Sequence, residues 1–154
     1  MNMERSQDVD RLRGLADRWA AECNSGEFGL AVCLEDVFRD LQEWLDSRPG
    51  TLILAYDGDG AFPDLVGFFA VFAVPSFLGS QQVALEKYWY AVPNARRAGV
   101  ALYREALKWA AENGCGHLIL SASNLASDLH DKVCRFCERM GMTLFETAYI
   151  VKVT

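Results

Sequence analysis

Leu85-Glu86-Lys87-Tyr88-Trp89-Tyr90-Ala91-Val92-Pro93-Asn94-Ala95-Arg96-Arg97-Ala98-Gly99-Val100-Ala101 is the stretch on which the reading of this chain turns. Its first half belongs to an aromatic-rich run, Val83 to Val92, that reads as a strand ended by Pro93. From Val100 the residues Tyr103, Ala106, Leu107 and Ala110 recur at helical spacing and stop at Asn113-Gly114. Between strand and helix stand two cations followed by two small residues. Strand, tight turn and helix start together build an anion site, because the first helical amides lack partners within the helix and point at whatever lies before it. Gly99 is expected to let a phosphate approach the backbone, Ala98 and Ala101 to keep the approach clear, and Arg96 and Arg97 to supply charge. Arg104 and Lys108, one and two turns on, extend the positive field. The segment is not a P-loop, since no G-x-x-x-x-G-K-[ST] occurs, and the glycine pattern of a dinucleotide fold is also missing.

Outward from this segment the periods alternate. Leu12, Leu15, Ala16, Trp19, Ala20 and Cys23 predict a helix over 8–23, ended by Asn24-Ser25-Gly26, and Leu34, Val37, Phe38, Leu41, Trp44 and Leu45 a second one, stopped by Pro49-Gly50. Thr51 to Tyr56 reads as a strand closed by the turn Asp57-Gly58-Asp59-Gly60, and Leu65 to Val74 as its partner, apolar enough to be buried on both faces. No strand is evident in Met1 to Asp10. After the central helix come a strand at 117–123 and a helix through Leu129, Val133, Phe136, Cys137 and Met140, N-capped by Ser127 or Asp128 and ended by Gly141. Two short strands, Thr143 to Phe145 and Ala148 to Val153, are expected to close the chain.

Composition bounds the function. The 154 residues are 51% hydrophobic, enough for one core and too few for two, so one domain spanning 1–154 is expected. A net charge of −6 argues against nucleic acid or an anionic membrane as partner. The five cysteines, Cys23, Cys33, Cys115, Cys134 and Cys137, are odd in number and lack zinc-site spacing, so they read as reduced thiols and no metal is expected. Met1 to Val9 has no apolar targeting core, and the longest apolar run, Leu65 to Val74, is about half a membrane span, which points to a cytoplasmic protein.

Taken together, these features resemble the GNAT family of acyl-CoA-dependent N-acyltransferases. Leu85 to Pro93 is similar to the family's fourth strand, and Arg96 to Ala101 to its Q/R-x-x-G-x-G/A pyrophosphate motif. Phe136-Cys137-Glu138-Arg139-Met140-Gly141-Met142 resembles the F-Y-E-K-x-G-F pattern that closes its last helix, and Phe145 and Tyr149 sit as in its C-terminal hairpin. The resemblance covers about residues 51–154, the first 50 matching by helix count alone; the tone of 80–154 is also similar to small phage-encoded GNAT-like proteins. It implies an α+β fold whose mostly antiparallel, mixed sheet splays between strands 83–92 and 117–123 and is flanked by about four helices. It further implies acetyl-CoA or another acyl-CoA as cofactor, lying along Ala91 and Val92, with pyrophosphate on Arg96, Arg97, Ala98, Gly99, Val100 and Ala101 and the pantetheine arm near Asn124. Glu86 stands where some members carry a base, and an amine on a small molecule or protein would attack the thioester directly.

The chain departs from the pattern at Cys137, which holds the position of the Tyr that acts as acid in many members. His130, near a helix start, and His117, opening a strand, are further candidates for proton transfer or structural caps, and one of Tyr88 and Tyr90 is a candidate lining of the acceptor cleft, with Trp89 on the other face. The missing Tyr keeps a second reading open, a GNAT-fold protein that binds and modulates another protein without turnover, and a third, a small-ligand sensor. The sequence is compatible with a monomer or a homodimer.

Overall fold

A computed structural model describes residues 1–23, 30–58, 63–123, 130–146, 148–149 and 151. Its centre is β3, Asp64–Pro75, in which six consecutive residues from Phe68 to Ala73 are buried between two helical layers. Period-two alternation sorts them: Phe68, Ala70 and Phe72 join one core, Phe69, Val71 and Ala73 the other. β2, Gly50–Asp57, pairs antiparallel with β3 and splits the same way, Leu52 and Leu54 against Ile53 and Ala55. β4, Gln82–Ala91, flanks β3 on the other side, antiparallel. With β1, Asn2–Ser6, and β5, Leu118–Ile119, the sheet runs β1-β2-β3-β4-β5, and only the β4–β5 pair is parallel.

One face is covered by α1, Arg13–Glu22, entered through a 3-10 turn at Val9–Leu12, and by α2, Leu34–Ser47. The other carries α3, Arg96–Glu112, through Ala98, Leu102, Ala106, Trp109 and Ala110. That stripe of alanines lets the helix sit close to the sheet. α4, His130–Arg139, reaches the same side through Phe136, whose ring meets Trp89 at 5.5 Å and Tyr103 at 5.4 Å, both edge to face. Its end is a Schellman motif: the Met142 amide donates to Cys137 O and the Gly141 amide to Glu138 O, with Gly141 at φ 74°.

The α+β class, the mixed sheet and the four flanking helices agree with the sequence reading; three details do not. A strand does precede the first helix, since Asn2–Ser6 pairs with Leu52 to Tyr56. It is an edge strand that ion pairs attach to the molecule, Arg5 to Glu105 and Glu112 on α3 and Arg11 to Glu4, so it carries almost no apolar pattern. The strand expected over 117–123 shrinks to Leu118–Ile119, because from Ser121 the chain turns its amide to a side chain of β4 instead of the ladder. Among the described residues of 143–151 there is no strand, and Leu144, Phe145, Tyr149 and Val151 are exposed. The helix stop at 24–26, the second half of the 57–60 turn, and Ser127 and Asp128 lie outside the described residues.

Gly67 tests the tightness of this packing. A Cβ there would lie 2.8 Å from Tyr90 O and 3.0 Å from Leu102 Cδ1, the first a backbone atom that cannot yield without moving β4. Gly67→Ala is therefore expected to destabilise the fold by about 1–3 kcal/mol in urea unfolding.

Candidate functional site

The motif Arg96 to Ala101 is not a loop before a helix: α3 begins at Arg96, so its first turn is Arg96-Arg97-Ala98-Gly99. The sequence pattern placed the start at Val100 because the apolar period begins there, and a helix's first turn need not bury anything. Ala95 is the N-cap, with φ −99° and ψ 52°, and its methyl group caps no amide. The turn before it is closed by the Ala95 amide on Val92 O at 2.9 Å, and the Ala98 amide donates to Ala95 O at 2.8 Å. The Arg96 and Arg97 amides lead the helix with no side-chain cap, at the positive end of a 17-residue dipole. Ala98 is fully buried and Arg97 exposed.

Gly99 does something other than the sequence reading supposed. A Cβ on Gly99 would point at the sheet, 3.6 Å from Trp89 Cζ2 and 3.9 Å from the Ala91 methyl. A single methyl group fits there at ordinary contact distance; anything longer meets the indole. Gly99 therefore faces β4 at Trp89 and Ala91, with room for a methyl group.

β4 and β5 are in register only at Ala84 with Leu118 and Leu85 with Ile119. Beyond that point Glu86 takes the ladder's place: the Ser121 amide donates to its Oε2 at 3.1 Å. The described β4–β5 pairing ends here, and β4 runs on from Glu86 to Ala91 toward the head of α3. Burial pushes the Glu86 carboxyl up to about 7, against the Ser121 amide, which favours the charged form and lowers it.

The other candidates fall into two groups. On the α1–α2 face, Tyr88 packs edge to face on Trp19 at 5.3 Å, its phenol pushed up by burial and then by the charges of Asp40, Cys23 and Glu86. Tyr90 donates its hydroxyl to Glu22 Oε1 at 2.9 Å; burial first and that carboxylate second raise its pKa. Trp89 faces α3, so the two tyrosines share one side as the alternation predicts. On the α3–α4 side, Cys137 is half-buried and burial raises its thiol, with Cys134 adding to the shift. Tyr103 of α3 is raised by burial and by Cys137, which places the two groups within electrostatic reach of each other. His130 does not approach Glu86 through any described contact; its Nε2 lies 3.6 Å from Cys134 Sγ, and its buried Nδ1 has no hydrogen-bond partner among the described residues. His117 is exposed, and its carbonyl accepts from the Ala84 amide at 2.8 Å, a role in the β4–β5 pair. Arg104 is exposed, and Lys108 is 4.0 Å from Glu112. Asn124 lies outside the described residues. Sequence reasoning missed Ser121, Glu22 and the surroundings of Lys87; only the last left a trace, a lysine beside Glu86 in a strand rich in aromatic residues.

A short parallel strand pair, an uncapped helix head and a half-buried carboxyl at the end of that pair are set together in an α+β fold. The sequence matches the acetyltransferase (GNAT) family over residues 16–142, and the chain belongs to that family. No curated protein sequence matches it. Its fold is similar to a ribosomal-protein-alanine N-acetyltransferase from Brucella melitensis biovar Abortus, with 15% identity, 99% of this chain and 100% of that one covered, and a TM-score of 0.67. An aminoglycoside acetyltransferase from an uncultured soil metagenomic sample, in complex with trehalose, is also similar: 15% identity, 99% and 95% covered, TM-score 0.69. So is a transcriptional regulator from Bacillus halodurans, with 18% identity, 99% and 100% covered and a TM-score of 0.72. Among the described residues no helix is long and apolar enough to cross a membrane, and no cluster of His, Cys, Asp and Glu would hold a metal ion.

Because Glu86 is harder to ionise when folded than when unfolded, its contribution to stability is fully present below its ordinary pKa of 4.5 and is lost as pH rises through about 7. Glu86→Gln lacks this dependence. The variant's stability relative to wild type is expected to rise by about 1–3 kcal/mol between pH 4.5 and 8 in parallel denaturation series.

Proposed function

We propose that this chain transfers an acetyl group from acetyl-CoA, or another acyl group from its CoA ester, to a primary amine of a small molecule or protein. The observation that carries this reading is the place of Glu86: a half-buried carboxylate, pushed up to about 7 by desolvation, that accepts the Ser121 amide where the β4–β5 pairing ends. A base must be largely free at working pH yet basic enough to take a proton, and a value near neutrality serves both.

The residues of the site fit the donor. The uncapped amides at the start of α3 are orphan donors suited to a pyrophosphate, with Arg96 and Arg97 adding charge and Ala98, Val100 and Ala101 presenting no bulk. Ala91 and Val92 stand at the end of the strand along which the pantetheine would lie, and the family resemblance assigns Asn124 to that arm. Gly99 faces Trp89 and Ala91. The bound thioester supplies an acyl carbon open to attack. The amine nitrogen forms a bond to that carbon, the carbon–sulfur bond breaks, Glu86 takes the ammonium proton, and the departing thiolate takes a proton. Cys137 is the proposed donor of that last proton, since burial holds its thiol in the protonated form an acid needs.

Two measurements test this. By calorimetry the wild-type chain binds acetyl-CoA, and Arg97→Glu, an exposed change that reverses charge at the helix head, weakens binding at least about tenfold; no binding by the wild type overturns the reading. With an amine acceptor, kcat/KM rises with pH along a limb centred near 7. Glu86→Gln removes that limb and lowers kcat by about 10²–10⁴-fold.

A further inference from the structure

Between Glu86 and Tyr88 the β3–β4 ladder carries one residue too many: Glu86 stands opposite Val71 and Tyr88 opposite Ala70, leaving Lys87 without a partner in the register. The two ends of β4 demand such an insertion. Ala84 is fully buried in the α3 core, whereas Tyr88 and Tyr90 belong to the α1–α2 core. All three positions are even, so an unbroken strand would place them on one face. One extra residue between 84 and 88 resolves the conflict, but this parity argument does not say which residue it is. Were it Glu86, Lys87 would pair with Val71 and the carboxylate would leave the fork.

The side chains of α2 make that choice. Lys87 Nζ lies 2.7 Å from Asp40 Oδ2 and 3.8 Å from the centre of the Trp44 ring, and its side chain is only 18% exposed. Trp44 is itself held, edge to face on Phe72 at 5.1 Å and beneath the Arg48 guanidinium at 3.9 Å. A lysine drawn this far onto the α2 side cannot also pair with Val71, whose side chain belongs to the opposite core. We propose that Lys87, gripped by Asp40 and Trp44, is a positioning residue that fixes the bulge at 87 and so keeps the Glu86 carboxylate on the Ser121 amide at the β4–β5 fork. Its consequence for catalysis rests on Glu86 being the base; its structural content does not.

The Ser121 amide reports the arrangement directly in a ¹⁵N–¹H correlation spectrum of the free protein at fixed pH. Glu86→Gln first identifies the shift that the carboxylate causes. In Lys87→Met the Ser121 signal is expected to move most of the way to its Glu86→Gln position, while Lys87→Arg, which keeps a cation for Asp40 and Trp44, holds it near wild type. Should Lys87→Met fail to fold, Asp40→Asn removes the ion pair with Lys87 retained, and the same displacement is expected. A Ser121 signal unmoved in whichever of these two variants folds overturns the proposal. Absence of acetyl transfer by the wild type would overturn the base and leave this signal to decide the bulge.

Discussion

An even-numbered residue near one end of β4 and two near the other must face opposite cores, and the inserted residue at Lys87 is what reconciles them. Much else depends on this single break in alternation. It lets Ala84 lie under α3 while Tyr88 and Tyr90 meet α1, and it leaves the Glu86 carboxylate on the Ser121 amide, just beyond the β4–β5 pairing. A bulge unpairs its extra residue and weakens the ladder locally. Here the neighbouring contacts, the Lys87–Asp40 pair and the Trp44 ring, lie on α2 and offset that loss from outside the sheet.

β5 keeps two residues of pairing with β4, so among the described residues β4 has no strand partner on that side beyond Leu85. The head of α3 stands at the other end of β4, where Gly99 faces Trp89, with the alanine stripe beneath the helix. In the proposed function the neutral arm of the acyl-CoA lies along β4 and its diphosphate on the amides that head α3.

Legibility in the sequence followed burial. β2, β3 and the helices α1, α2 and α3 were plain because each buries a face and so carries its period in its apolar residues. β1 was invisible because Arg5 and Arg11 hold it by charge pairs, and five residues with one partly buried methionine leave no alternation to read. The start of α3 was placed a turn late for a related reason: Arg97 is solvent-facing, and an amide donor leaves no mark in side-chain pattern. Glu86 was singled out through resemblance, but its environment was not, since the Ser121 contact joins residues 35 apart through a main-chain group that any sequence would possess. The sequence motif points Gly99 toward a ligand, whereas its missing side chain faces the indole, a direction that only the relative placement of α3 and β4 reveals.

The central claim, that an acyl-CoA lies in the fork between β4 and β5 with its diphosphate on the head of α3, is most directly tested by mapping amide shifts as acetyl-CoA is titrated into the ¹⁵N-labelled protein. Changes are expected to concentrate at Arg96 to Ala101, at Glu86 to Val92 and at Leu118 to Ser123, with β1 and β2 unmoved. Shifts that cluster elsewhere, or a spectrum indifferent to saturating acetyl-CoA, would contradict it.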